Sequence, residues 1–96
     1  MKPLKEFYRK NGYNHKVLWR DDEYAITEVS DQDSNRVCCY EAFRIKRHKG
    51  KNTDIIKVEP FESSPDNESW GKTGYTAISF EDAKTKINKL KMKQNG

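Results

Sequence analysis

The chain has only two cysteines, and they are adjacent, Cys38 and Cys39. Neighbouring residues of a strand point to opposite faces, so a bridge between these two is geometrically poor. A disulfide scaffold is excluded, and a reduced, cytoplasmic protein is the expectation. No apolar run reaches the roughly 18 residues that a membrane span requires. The Met-Lys-Pro start leads into no apolar segment of the kind a secretory signal carries. Histidine is also scarce: His15 and His48 lie far apart. With no Cys-x-x-Cys or His-x-x-x-His spacing there is no zinc framework, and neither a metal nor a cofactor is expected.

Hydrophobic residues are a modest 33% and charged residues 35% of the 96 positions. Five Tyr, four Phe and two Trp offset that shortage. Each buries a large area, so a few suffice for the thin core of one small domain. The net charge of +4 is unevenly spread. Residues 21–33 hold six acids and no base, residues 44–51 hold five basic residues and no acid, and residues 79–96 hold five Lys against two acids. The field is dipolar, unlike the continuous positive surface of most polyanion binders.

The pattern predicts an α+β fold: an antiparallel meander sheet of four or five strands with one C-terminal helix packed on one face. Residues 1–12 form an N-terminal arm or short helix, because Leu4, Phe7 and Tyr8 fall at i, i+3, i+4 and Asn11-Gly12 closes the segment. The sheet spans 13–78. Strands are expected over 15–20, 23–30, 37–46 and 54–59, with a short extended piece over 74–78. Residues 61–73 form a long irregular loop. The helix occupies 79–94: Ser79 caps it, Glu81 and Asp82 suit its positive end, and Phe80, Ala83, Ile87 and Leu90 make one apolar stripe. That stripe is expected to pack on Trp19 and Ile45, leaving the other sheet face open.

Catalysis finds little material. Gly71-Lys72-Thr73 copies the end of a phosphate loop, but the motif needs a Gly where Asp66 stands, and no helix follows directly. Cys39 with His15 or His48 is the one imaginable nucleophile pair, and core packing of the cysteine is the plainer reading. Asp21, Asp22 and Glu23 read as a solvated turn. No catalytic residue is therefore assigned. The basic stretch is more informative: Arg44, Lys46, Arg47, Lys49 and Lys51 resemble a phosphate-contacting loop, and Tyr40 shares a strand face with Arg44. Aromatic and Arg residues also favour the centres of protein interfaces. These residues and Trp70 are the candidate partner-binding set, with Trp70 alternatively plugging the end of the core.

The stretch Ser69-Trp70-Gly71-Lys72-Thr73-Gly74-Tyr75, followed by Ser79-Phe80-Glu81-Asp82-Ala83, resembles small phage and Bacteroidetes-type proteins. They share a Trp-Gly-Lys-Thr-Gly-aromatic motif before a C-terminal helix. The likeness covers about residues 13–91, including the strand Tyr40-Glu41-Ala42-Phe43-Arg44-Ile45. The group has no established activity. What the resemblance implies is a mobile-element origin and a non-catalytic accessory role: binding a host or phage protein, as in inhibition of a host defence system. The alternative is a nucleic-acid-binding accessory protein that uses the 44–51 loop.

Overall fold

A computed structural model describes residues 1–95. An antiparallel five-stranded sheet carries a single C-terminal helix. Its strands are β1 (Phe7–Lys10), β2 (Tyr13–Arg20), β3 (Tyr24–Asp31), β4 (Val37–Arg44) and β9 (Gly74–Ala77), in the order β1-β2-β3-β4-β9. Between β4 and β9 the chain leaves the sheet. There β5 (Lys46–His48) pairs with β8 (Phe61–Ser63), and β6 (Lys51–Asn52) pairs with β7 (Lys57–Val58). A 3-10 turn (Asn67–Ser69) precedes β9, and α1 (Phe80–Asn95) ends the fold.

The expected α+β architecture is present, but not the short N-terminal helix. That segment is β1, paired with β2 from Phe7↔Lys16 to Lys10↔Tyr13. Asn11 and Gly12 both have positive φ, 54° and 82°. They form the two-residue turn whose twist suits a hairpin, and this signal overrides the helical spacing of Leu4, Phe7 and Tyr8. Phe7 is accordingly exposed while Leu4 is buried. Two other expectations also change. The strand over 37–46 breaks at Ile45, after which Lys46 pairs with Ser63 in the second sheet. Of 54–59, only Lys57–Val58 is strand.

Ser79 caps α1: its hydroxyl accepts from the Asp82 N–H at 3.0 Å, and Asp82 Oδ2 accepts from the Ile78 N–H at 3.1 Å. The Ser79 hydroxyl thus satisfies one orphan donor of the first turn, and the Asp82 carboxylate ties down the residue before the cap. Ala83, Ile87 and Leu90 then bury against Tyr24, Ile26, Ala42 and Ala77, with Trp19, Tyr40, Tyr75 and Phe80 at the margin. The Trp19 contact is as expected; Ile45 is on the other side of the sheet.

That other side is also covered. Ala25, Phe43 and Ile45 bury there with Leu4 of the N-terminal arm, flanked by Tyr8, Val17 and Trp70. Tyr24, Ala25, Ile26 and Thr27 of β3 are therefore buried on alternate faces in succession. The long segment before β9 and the arm do what a second helix does in larger folds. A carboxylate holds this layer together. Glu62, only 8% exposed, accepts from the Leu4 N–H at 3.0 Å and from Arg20 Nη1 at 2.8 Å, and lies 3.4 Å from Arg47 Nε. The Arg20 hydrogen bond, aided by the Leu4 N–H and both guanidinium charges, overcomes burial and holds its pKa below the ordinary 4.5.

Candidate functional site

Break and excursion after β4 distribute the candidate binding residues over different tasks. Tyr40 lies on the helix-covered face and packs at the margin of the α1 core. Arg44, at the end of the same strand, is exposed. Lys46 pairs with Asp66, and Arg47 meets both Glu62 and the Asp22 carbonyl oxygen. Lys49 and Lys51 are exposed. Trp70 packs against the cluster of Leu4, Ala25, Phe43 and Ile45, its ring occupies the space a Cβ on Gly74 would need, and its indole N–H donates to Thr76 Oγ1 at 3.1 Å. The fold thus brings Lys46 and Arg47 to carboxylates and Tyr40 and Trp70 to opposite core layers.

Another surface was missed. The β6–β7 hairpin ends in a loop where Ile55 is 94% exposed, with Ile56 and Val58 also open to solvent. Gly50, with φ of 79°, closes the base of this hairpin; a Cβ there would run into the Val58 carbonyl oxygen. Val58 also lines a cleft of about 710 Å³ between residues 2–5 and residues 57–64. Pro3, Leu4, Tyr8 and Phe61 supply its apolar walls, and Lys2, Lys5 and Lys57 stand at it. Val58 joins the hairpin to the cleft, whose rim carries Lys2, Lys5 and Lys57 together with Glu59, and Lys51 stands on the paired strand. The available signal was Asp54-Ile55-Ile56-Lys57: adjacent isoleucines cannot both face one core in a strand. Reading the segment as a sheet strand hid it.

The chemistry of nucleophiles and phosphate loops finds no support in the geometry. Burial first, and the Glu41 and Cys38 charges next, push the Cys39 thiol above its usual value, the opposite of an activated cysteine. Cys39 pairs in register with Val29, and Val29 with His15, so Cys39 and His15 sit two strands apart. His48 stacks on Phe61 at 4.2 Å and contacts Ser63 Oγ at 2.8 Å. Gly71-Lys72-Thr73 is a tight turn: Gly71 has φ of 89° and its N–H bonds the Gly74 carbonyl at 2.7 Å. Among the described residues no cluster of three His, Cys, Asp or Glu is placed to hold a metal. No helix among them is long and apolar enough to cross a membrane.

No protein-family model, curated protein or solved structure matches the chain.

Proposed function

We propose that the chain is a non-catalytic binding protein that docks on another protein through the β6–β7 hairpin and the adjoining cleft. The observation that carries this reading is Ile55, 94% exposed at the tip of a hairpin that also exposes Ile56 and whose Val58 lines the adjoining cleft. Exposed apolar side chains gathered in one place mark interaction sites, whereas scattered ones do not. Lys2, Lys5, Lys51 and Lys57 outnumber Glu59 around this surface, Glu62 being engaged by Arg20 and Arg47, and the balance favours a partner with an apolar groove and an acidic rim. Lys46 and Arg47 are drawn to Asp66 and Glu62, which lowers the charge left for a phosphate backbone and favours protein over nucleic acid. The phage-type resemblance around Trp70 supports a target in a bacterial host's cytoplasm or among phage proteins, and inhibition of a host system is the role proposed with it.

A photo-crosslinking residue in place of Ile55, with one in place of the equally exposed Ile78 as control, tests the reading. One protein is expected to crosslink at 55 and not at 78. Ile55→Ser with Val58→Ser is expected to abolish its capture without moving the melting temperature. Crosslinks to nucleic acid, or capture unchanged in the double variant, would overturn it.

A further inference from the structure

Alternation along a regular strand sends adjacent side chains to opposite faces, and Cys38-Cys39 departs from it. Val29 of β3 lies opposite Cys39, while the next residue, Ser30, lies opposite Val37. One step along β3 thus matches two along β4, and Cys38 is the extra residue of a β-bulge. Val29 and Ser30 alternate, so Cys39 and Val37 take opposite faces although they stand two apart. The alternation slips at the bulge, and Cys38 comes to the side of Cys39. The cavity geometry agrees. Both cysteines line one cleft of about 450 Å³, together with Tyr13 and Trp70, and Val37 is not part of it. The expectation that the two thiols diverge is therefore corrected by the register of β3 against β4.

The pair is open to a ligand. Cys38 is exposed, Cys39 is half-buried, and both are free thiols. β9 joins β4 only from Tyr40 to Phe43, so it does not border them. The Cys38 thiol makes one weak contact, to the Arg36 carbonyl at 3.5 Å. Zinc and iron–sulfur centres ask for three or four protein ligands, and among the described residues no group of three His, Cys, Asp or Glu is placed to hold a metal. Two sulfurs alone suit a soft monovalent cation with a filled d shell, and thiolates select copper(I) among the biological metals. We propose that Cys38 and Cys39 form a two-sulfur site for copper(I). Each thiol gives up its proton, two S–Cu bonds form, and the copper keeps its oxidation state. Burial holds the Cys39 proton on in the free protein, and the bound cation offsets that by taking the proton's place. The cleft shares no lining residue with the one beside the β6–β7 hairpin, so the site does not depend on the docking surface.

The full chain, reduced and kept free of oxygen, tests this in competition with bicinchoninate for copper(I). The protein is expected to withdraw one copper ion per chain from the coloured complex and to remain monomeric in sedimentation. Cys38→Ser and Cys39→Ser are each expected to weaken binding about a hundredfold or more, because the second sulfur of a chelate acts at high effective concentration. Phenylarsine oxide reads the geometry independently. Its arsenic forms two As–S bonds and stays trivalent, and its oxygen leaves as water with both thiol protons. One phenylarsenic group per chain, with both thiols consumed, is the expected mass and thiol count. Undiminished copper binding by either variant would overturn the proposal, as would copper held only between two chains. So would a chain that keeps both thiols free in phenylarsine oxide or takes one arsenic on each. The arsenical result is read on the native protein and stands even if Cys39→Ser fails to fold.

Discussion

Replacing Glu62 by Gln should loosen the layer that covers the second sheet face. Three donors converge on this carboxylate: the Leu4 N–H, the Arg20 guanidinium and Arg47 Nε. The arginines are 31% and 41% exposed, so water takes over most of their solvation once the charge is gone. Their loss therefore lies well below the 3–5 kcal/mol of a fully buried broken pair, nearer the 1.5–3 kcal/mol of one charge-assisted hydrogen bond. Gln keeps one carbonyl acceptor, which serves either Leu4 or Arg20. The expected cost is about 1.5–3 kcal/mol at neutral pH, read as the shift in urea midpoint followed by tryptophan fluorescence. The pH dependence follows from the depressed Glu62 pKa. A carboxylate with a lowered folded pKa contributes stability above the ordinary 4.5, and this contribution is lost as pH falls through the folded value. The gap between native and variant proteins should therefore be full at pH 7 and shrink below pH 4.5. Hydrogen exchange adds a local readout: the Leu4 amide should lose protection before the β3 amides do. A gap under about 0.5 kcal/mol, the usual limit for neutral surface changes, would refute the reasoning, as would one independent of pH.

Leu90→Ala and Ile87→Ala, each removing a side chain only 3% exposed, should each cost about 2–4 kcal/mol in denaturant unfolding, while Met92→Ala at 75% exposure should cost almost nothing. Gly74→Ala places a methyl group in the Trp70 ring and should destabilise by about 1–3 kcal/mol, with a change in the near-ultraviolet circular dichroism of the indole. Burial, opposed by the neighbouring Ser64 and Thr27 hydroxyls and reinforced by Glu41, pushes the Tyr8 phenol up to about 12, so one tyrosine should ionise late in a spectrophotometric titration. Because the folded state holds that proton longer, the Tyr8 contribution to stability is present below pH 10 and lost as pH rises toward about 12, which melting curves across that window would check.

The sequence by itself determined the C-terminal helix, its cap and its buried stripe. Those signals are local: Ser79, the acidic first turn and apolar residues at helical spacing act within one element. The sheet was legible as a class for the same reason, since β-branched and aromatic residues alternate along β2, β3 and β4. Residues 7–10 went the other way because two local signals conflicted, and the positive φ of Asn11 and Gly12 joined the segment to β2. Only the tertiary structure decided what covers the second face. Glu62 gathers Leu4, Arg20 and Arg47 from distant parts of the chain, and no periodicity encodes such a meeting. It likewise decided the candidate site. Charge and aromatic content pointed to Arg47 and Tyr40, but an ion pair and a helix contact engage them. Ile55 escaped notice because an apolar run reads the same whether it faces a core or solvent. Cys38 and Cys39 are neighbours in sequence, and only the register of β3 against β4 turns both to one face.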